Sequence, residues 1–173
     1  DAATRERFLA VVRDEVRTMS TRVQALSRDS AQTMKTRWPL EDMRGDDLLA
    51  AAVRRIEAVC SCRAAADAAP AELWLSVDSY SLLQALVSLA GRLADEYDVR
   101  LVRLRLARTD THAQLDLVWQ GPAMSTETVV GWETEPMRGG ADESVALTVR
   151  DAVQRHHGEF WLERERLRHD SFF

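Results

Sequence analysis

Residues 100–119 read RLVRLRLARTDTHAQLDLVW. The first half alternates leucine and valine with arginine, and a second alternating run up to Trp119 follows the polar turn at residues 109–112. A period of two is typical of strands that bury one face and expose the other. This stretch therefore predicts an antiparallel hairpin, and the buried face requires other elements to cover it.

Helical patterns lie on both sides of this hairpin. Apolar residues at spacings of three and four follow Asp46 or Asp47, then Asp78 or Ser79, and again Ser144. Acids and serines of this kind cap helix N-termini. The sequence therefore predicts three helices, and the last of them ends at His157-Gly158.

Shorter extended segments complete the pattern. Residues 37–43 and 73–77 and the segment from Phe160 predict strands, and the Ala-rich residues 60–70 fit a helix or a strand. Residues 120–143 hold four glycines and two prolines and predict a long irregular loop. We expect Trp74 and Trp161 to lie in the core. The predicted fold is α+β, a mixed and mostly antiparallel sheet with helices on one face.

Residues 1–37 predict one long helix with no Pro or Gly. Its apolar residues repeat at alternating spacings of three and four, which is the seam of a coiled coil. Such a narrow seam needs a partner helix, in this chain or in a second copy, and we expect a homodimer formed through this helix; the alternative is an amphipathic helix that packs on its own domain. The seam residues are Leu9, Val12, Val16, Met19, Val23 and Leu26.

Composition excludes several classes of protein. The chain has 173 residues, 46% of them hydrophobic, and a net charge of −5, which argues against direct nucleic-acid binding. No apolar run is long enough to span a membrane, so we expect no membrane contact by this segment. Cys60 and Cys62 are too few for a zinc site and fit a reducing cytoplasm. The first residue is not Met, which predicts that this sequence is a piece of a longer protein. A membrane anchor upstream of residue 1 would be compatible with this prediction.

The order of elements after residue 38 resembles the ATP-binding domain of histidine kinases, the Bergerat fold. The stretch VRDAVQRHHGEFWLE at 149–163 looks like the helix and strand that follow the family's last glycine box. Residues 77–86 resemble the segment that leads into its asparagine box. The resemblance implies two parts: 1–37 as the second helix of a dimerisation hairpin, and 38–173 as the kinase-like domain.

The residues that carry chemistry in that family are changed here. Where the asparagine box holds a magnesium ligand, this sequence reads SLAGRL at 88–93, and an arginine has only hydrogen-bond donors. The box Asp-x-Gly-x-Gly, whose acid binds adenine, reads WQGPA at 119–123. In place of the last glycine box, the sequence reads ESVAL at 143–147, which contains an acid and no glycine. We expect Arg92 to pair with Glu143 or Asp142. The resemblance places a vestigial pocket at Ser88, Arg92, Trp119, Gly121, Gly139 and Gly140.

No histidine lies on the long helix, so the phosphoacceptor is also missing. We expect no catalytic residue, no metal and no cofactor in this segment; the alternative is a divergent pocket that still binds ATP with magnesium. Residues 37–52 further resemble the kinase-like region that precedes a 3′–5′ exonuclease domain, related to the proofreading subunit of DNA polymerase III, in proteobacteria. The predicted function is an inactive regulatory and dimerisation module, covalently linked to an effector. The alternative interpretation is a docking domain of a replication or repair exonuclease. The sequence leaves open whether the full protein is an enzyme.

Overall fold

The structure is a computed structural model that describes residues 15–16, 18–22, 39–121, 124–137, 147–165 and 170–172. Residues 15–22 and residues 39–172 belong to two separate compact units. In the first unit the described residues are helical, and Val16 and Met19 are each 57% exposed. The other seam positions, Leu9, Val12, Val23 and Leu26, lie outside the described residues. The division into 1–37 and 38–173 stays a prediction.

The second unit contains seven described strands and four described helices. The strands are β1 (Glu41–Arg44), β2 (Arg63–Ala66), β3 (Trp74–Val77), β4 (Leu101–Arg108), β5 (Ala113–Gln120), β6 (Glu163–Glu165) and β7 (Asp170–Phe172). The helices are α1 (Gly45–Val59), α2 (Ser79–Tyr97), α3 (Thr126–Thr134) and α4 (Val149–Arg155). The Ala-rich stretch thus contains a strand, β2, and the strand predicted from Phe160 begins at Glu163 as β6.

The strands form two sheets. β1 and β3 pair as an antiparallel two-stranded sheet, and the larger sheet has the order β2-β4-β5-β7-β6. β2 runs parallel to β4, whereas the remaining neighbours in this sheet are antiparallel. The predicted α+β class with a mixed, mostly antiparallel sheet is confirmed.

The hairpin prediction is also confirmed. Val102, Leu104 and Leu106 of β4 are at most 4% exposed and lie opposite Trp119, Leu117 and Leu115 of β5. This face packs against the apolar sides of α1 and α2, with Ile56 and Leu93 fully buried. Removing each such aliphatic side chain from water contributes about 1.5–3 kcal/mol to folding.

The start of α1 differs from the prediction. Asp46 and Asp47 lie in its first turn, while the N-cap is Arg44, whose side chain makes no capping hydrogen bond. The N–H of Gly45 donates instead to Leu73 O at 2.9 Å. A Cβ on Gly45 would lie 2.6 Å from Leu106 Cδ2. The backbone at residue 45 therefore approaches the Leu106 side chain so closely that only glycine fits without displacing it. The two aspartates still stabilise the helix through its dipole.

Two further predictions are wrong in their boundaries. The segment predicted as a loop contains α3, which Ser125 caps by accepting a hydrogen bond from the Thr128 N–H. The last helix begins at Val149 and not at Ser144, because Thr148 and Asp151 form a reciprocal capping box that fixes its N-terminus. Ser144 itself lies outside the described residues.

Asp78 joins the N-terminus of α2 to the C-terminus of α4. Its carboxylate accepts the Ser81 N–H at 3.2 Å and pairs with Arg155 Nε at 2.7 Å. The Asp78 N–H donates to His156 Nε2 at 2.9 Å, and His156 Nδ1 lies 2.7 Å from Ala152 O. His156 therefore accepts at Nε2 and donates at Nδ1. These bonds fix how the two helices meet.

Candidate functional site

The site predicted from the sequence starts on α2. Ser88 and Arg92 are four residues apart, so they lie one turn apart on the same face of the helix. Both are buried, each about 5% exposed. Burying a guanidinium is costly unless an acid or an aromatic ring compensates its charge.

Residues of and next to α3 provide that compensation. Arg92 Nη2 lies 2.6 Å from Glu135 Oε2, directly after the end of α3. The guanidinium carbon also lies 5.6 Å from the centre of the Trp132 ring, within the range of a cation–π contact. The Arg92 side chain is 6% exposed and the Glu135 side chain 56%, so the pair reaches from the interior to solvent.

Trp132 is the centre of this contact between α2 and α3. Its side chain is buried, its Nε1 donates to Glu96 Oε2 at 3.3 Å, and its ring meets Tyr97 edge-on at 5.8 Å. Trp132 therefore holds three side chains of α2, and we call Arg92, Glu96, Tyr97, Trp132 and Glu135 the Trp132 cluster.

Among the described residues, the acid that pairs with Arg92 is Glu135, which the sequence did not predict. We expected Glu143 or Asp142, which lie outside the described residues, whereas the structure places Glu135 there. Glu135 was not predicted as the partner, because the composition of residues 120–143 indicated a loop. The helix that positions this acid was therefore not predicted. A Ser-x-x-Thr cap at Ser125 and a proline at 136 were the signals available for that helix.

The end of β5 contributes the second part of the site. Trp119 is 2% exposed and belongs to the same core cluster as Met124 and Trp132. A Cβ on Gly121 would lie 3.3 Å from Trp119 Cδ1, so the indole lies directly against the backbone where the strand ends. The buried position predicted for Trp119 is confirmed, whereas Trp74 and Trp161 are 61% and 46% exposed, contrary to expectation.

The glycine pair of the predicted site is not described. Gly139 and Gly140 lie in residues 138–146, outside the described part of the chain. The two ends of this segment are joined, since the Met137 N–H donates to Leu147 O at 2.8 Å and Pro136 forms a bridge with Thr148. Of the six predicted residues, the structure places Ser88 and Arg92 one turn apart on α2, and Trp119 and Gly121 next to each other at the end of β5.

The described residues do not suit a bound metal ion at this place. Arg92 presents only N–H donors, and Trp119 presents an apolar ring with a single donor. Across residues 39–121, 124–137 and 147–163, no group of three or more His, Cys, Asp or Glu side chains converges as metal ligands. No helix in the described part of the chain is long and apolar enough to cross a bilayer.

Comparison with known proteins identifies the architecture. The ATP-binding domain of PrrB from Mycobacterium tuberculosis superposes with a TM-score of 0.58 at 16% identity, covering 78% of this chain and 93% of that domain. The fold is that of a histidine-kinase ATP-binding domain. The mycobacterial sensor histidine kinase MprB gives a TM-score of 0.52 at 17% identity, over 77% of this chain and 93% of that chain.

Kinases from other sources share the histidine-kinase fold. The kinase domain of the Escherichia coli osmosensor EnvZ gives a TM-score of 0.53 at 15% identity, covering 78% of this chain and 84% of that domain. The histidine kinase ThkA, solved in complex with the response regulator TrrA, covers 90% of this chain and 47% of that chain, at 14% identity and a TM-score of 0.54. No family model matches the sequence, and no curated protein matches it. These identities establish the fold alone.

Proposed function

We propose that the chain is a regulatory and dimerisation module of a larger protein, in which residues 38–173 form a histidine-kinase-like domain that does not bind nucleotide and residues 1–37 form the dimerisation helix. The observation that carries this proposal is the Trp132 cluster. In the kinase fold the turn of α2 that holds Arg92 corresponds, by the resemblance, to the magnesium-binding asparagine. Here a guanidinium fills that turn, with Glu135 at 2.6 Å as its counter-charge and the centre of the Trp132 ring 5.6 Å from its carbon.

Electrostatics support the same conclusion. A divalent cation next to Arg92 would meet a like charge, at a place where burial limits the screening by water. Glu135 already accepts from Arg92, and Glu96 already accepts from Trp132. A metal that recruited these acids would compete with Arg92 and Trp132 for them. These contacts compensate the charge of Arg92 without a bound ligand.

Trp119 supports the proposal independently. The resemblance puts an adenine-binding acid at this position, and an indole N–H cannot accept a hydrogen bond from the adenine amino group. At 2% exposure, the ring is part of the packed core beside Gly121. Replacing it by an adenine ring would require the end of β5 to repack.

A nucleotide titration tests the proposal. Isothermal calorimetry of the chain with ATP and magnesium should give no heat of binding up to millimolar nucleotide, with the ATP-binding domain of PrrB as positive control. Micromolar affinity would contradict the proposal and favour the alternative, a divergent pocket that still binds ATP with magnesium.

A restored variant tests how many changes disable the site. Trp119→Asp with Arg92→Asn puts back two residue types that the family uses, and circular dichroism must first show that the double variant is folded. We expect no tight binding, because the third change, an acid in place of the last glycine box, persists. Tight binding by the double variant would show that the third change does not matter, and the account of three losses would be wrong.

Dimerisation and an attached effector complete the proposal. Val16 and Met19 are helical and exposed within one chain, as expected for seam residues that a second copy covers. The linkage to an exonuclease domain rests only on the resemblance of residues 37–52 and stays a prediction. A docking role in replication or repair has no supporting observation in the described residues.

A further inference from the structure

Two cysteines lie at the junction between α1 and β2. Cys60 directly follows α1, Cys62 directly precedes β2, and the chain bends at both and at Ser61 between them. The Cα atoms of residues two positions apart in an extended chain are roughly 7 Å apart, and a disulfide needs roughly 4.4–6.8 Å. Because a bend shortens this separation, the backbone of the turn suits a bridge between the two cysteines.

The two sulfur atoms lie over one patch of α2. Cys60 Sγ is 3.4 Å from Val87 O, and Cys62 Sγ is 4.0 Å from Ala90 O. Carbonyls three residues apart are neighbours on one face of a helix, so the two sulfurs are also neighbours, and a hydrogen bond joins them. A Cβ on Gly91 would lie 3.7 Å from Cys60 Sγ, so the thiol pair packs directly on this turn of α2.

The surroundings of the thiol pair permit a disulfide. Val87 O and Ala90 O belong to α2, where a carbonyl accepts the backbone N–H four residues further along, so neither depends on a thiol for its hydrogen bond. The hydrogen bond between the thiols lowers the pKa of Cys62 and raises that of Cys60, so the pair gives up one proton first. One negative charge and one proton then remain on two adjacent sulfurs, and either sulfur can react as the thiolate.

Solvent reaches the two thiols unequally. Cys60 is partly exposed, whereas Cys62 is only 7% exposed. A reagent from solution therefore meets the Cys60 sulfur first, and Cys62 lies behind it as the second thiol. In the part of the chain that the structure describes, no third His, Cys, Asp or Glu side chain joins the pair as a metal ligand, which favours covalent chemistry over metal binding.

We propose that Cys60 and Cys62 form a redox site, which a small-molecule disulfide oxidises to an intramolecular disulfide. In the first step the Cys60 sulfur attacks one sulfur of the reagent, whose S–S bond breaks, and the departing thiolate takes the proton of Cys62. In the second step the Cys62 thiolate attacks the Cys60 sulfur and releases the second half of the reagent, which takes a proton from water. Two electrons pass from the pair to the reagent, and one reagent disulfide becomes two thiols. This inference is independent of the nucleotide pocket.

Mass spectrometry after treatment with the neutral disulfide of 2-mercaptoethanol tests the proposal. Cleavage after Arg55 and Arg63 releases both cysteines in one peptide. We expect this peptide to lose two hydrogen atoms, to carry no 2-mercaptoethanol, and to regain the hydrogens after treatment with dithiothreitol. Two unreacted thiols, two 2-mercaptoethanol adducts, or a disulfide that links two chains would each overturn the proposal.

Two matched single variants test the order of the steps. Cys62→Ser should accumulate one 2-mercaptoethanol on Cys60, because the second step is blocked. Cys60→Ser should react at least about tenfold more slowly, because the remaining thiol is buried, and this difference should disappear in concentrated urea. Equal rates in the two folded variants, a faster Cys60→Ser, or no adduct on Cys62→Ser would each overturn the proposal. Circular dichroism checks that both variants are folded, and the result for the unchanged chain does not depend on either.

Discussion

At the scale of single residues, Arg92 is a buried charge whose partners were only partly predictable. The sequence alone indicated that a guanidinium stands where the family resemblance implies a magnesium ligand, and that it would need an acid. It did not indicate which acid, because Glu135 and Trp132 reach Arg92 through a helix, α3, whose glycine and flanking prolines have the composition of a loop. The type of contact was therefore predictable, whereas its partners depended on tertiary structure.

Glu135 should matter more for stability than a neighbouring acid with a similar partner. Glu135→Gln leaves a buried guanidinium without a counter-charge and should lower the free energy of unfolding by about 1–3 kcal/mol. Glu133→Gln is the control: Glu133 pairs with Arg150 through two hydrogen bonds of 3.0 and 3.1 Å, but the Arg150 side chain is 45% exposed and stays hydrated when the acid is removed, so the loss should be about 0–1 kcal/mol. Urea unfolding measures both. Equal losses of the free energy of unfolding in the two variants would show that the Arg92–Glu135 pair stabilises the protein no more than the Arg150–Glu133 pair.

The two thiols should ionise one at a time. Cys60 Sγ lies 3.4 Å from Val87 O and Cys62 Sγ lies 4.0 Å from Ala90 O, so both thiols lie against α2. The hydrogen bond between them raises the pKa of Cys60 well above its ordinary value and lowers the pKa of Cys62. Ultraviolet absorbance should detect one thiolate at mildly alkaline pH, and Cys60→Ala should raise the pKa of Cys62. Two thiolates forming together would contradict this.

These pKa shifts also fix the sign of a pH effect on stability. The folded state releases the Cys62 proton at lower pH than the unfolded chain, so stability from this thiol rises with pH up to the ordinary thiol value of 9.0. Above that value the unfolded chain loses the Cys60 proton while the folded state keeps it, and stability falls. Urea midpoints at several pH values, compared with the Cys60→Ala and Cys62→Ala variants, measure both effects.

At the scale of elements, periodicity predicted more than composition did. The β4–β5 hairpin and the apolar faces of α1 and α2 follow from spacing, and the structure confirms them. The helix starts were less predictable, because a capping aspartate and a first-turn aspartate have the same sequence signature. At α1 the choice depends on Gly45, whose N–H bonds to Leu73 O and whose missing Cβ makes room for Leu106. No local pattern contains that long-range contact.

The junction of α2 and α4 should depend on Asp78. Asp78→Asn weakens the 2.7 Å pair with Arg155, and because the carboxylate is only 6% exposed, the free energy of unfolding should fall by about 3 kcal/mol. Asp67→Asn is the matched control: its pair with Arg103 is 3.9 Å long and about half exposed, so its loss should cost less than about 1 kcal/mol. Equal urea midpoints for the two variants would show that the Asp78–Arg155 pair contributes no more to stability than the Asp67–Arg103 pair.

At the scale of the whole molecule, the sheet order β2-β4-β5-β7-β6 and the superposition on PrrB show the fold of a histidine-kinase ATP-binding domain. By the resemblance, the residues that carry chemistry in that family are changed here, and Trp119 and Trp132 belong to the hydrophobic core. A fold does not by itself establish an activity, so the proposed loss of nucleotide binding needs its own test.

The N-terminal helix should hold two copies together. Val16→Asp with Met19→Asp places charges in the proposed seam and should convert a dimer into a monomer in light scattering, because each carboxylate would be buried without a counter-charge. Ser20→Asp, an exposed position of the same helix outside the seam, should leave the dimer intact. A dimer that survives the double change would place the contact elsewhere.

The most direct test of the closed pocket is residue-specific. The indole N–H signals of Trp119 and Trp132 in an NMR spectrum report on the two sides of the site, and Trp132→Phe and Trp119→Phe variants assign them. We predict that millimolar ATP with magnesium leaves both signals unchanged, because Arg92 and Glu135 already occupy the place of the metal and Trp119 is packed in the core. A saturable shift of either signal would show that nucleotide enters the site, and would contradict the account.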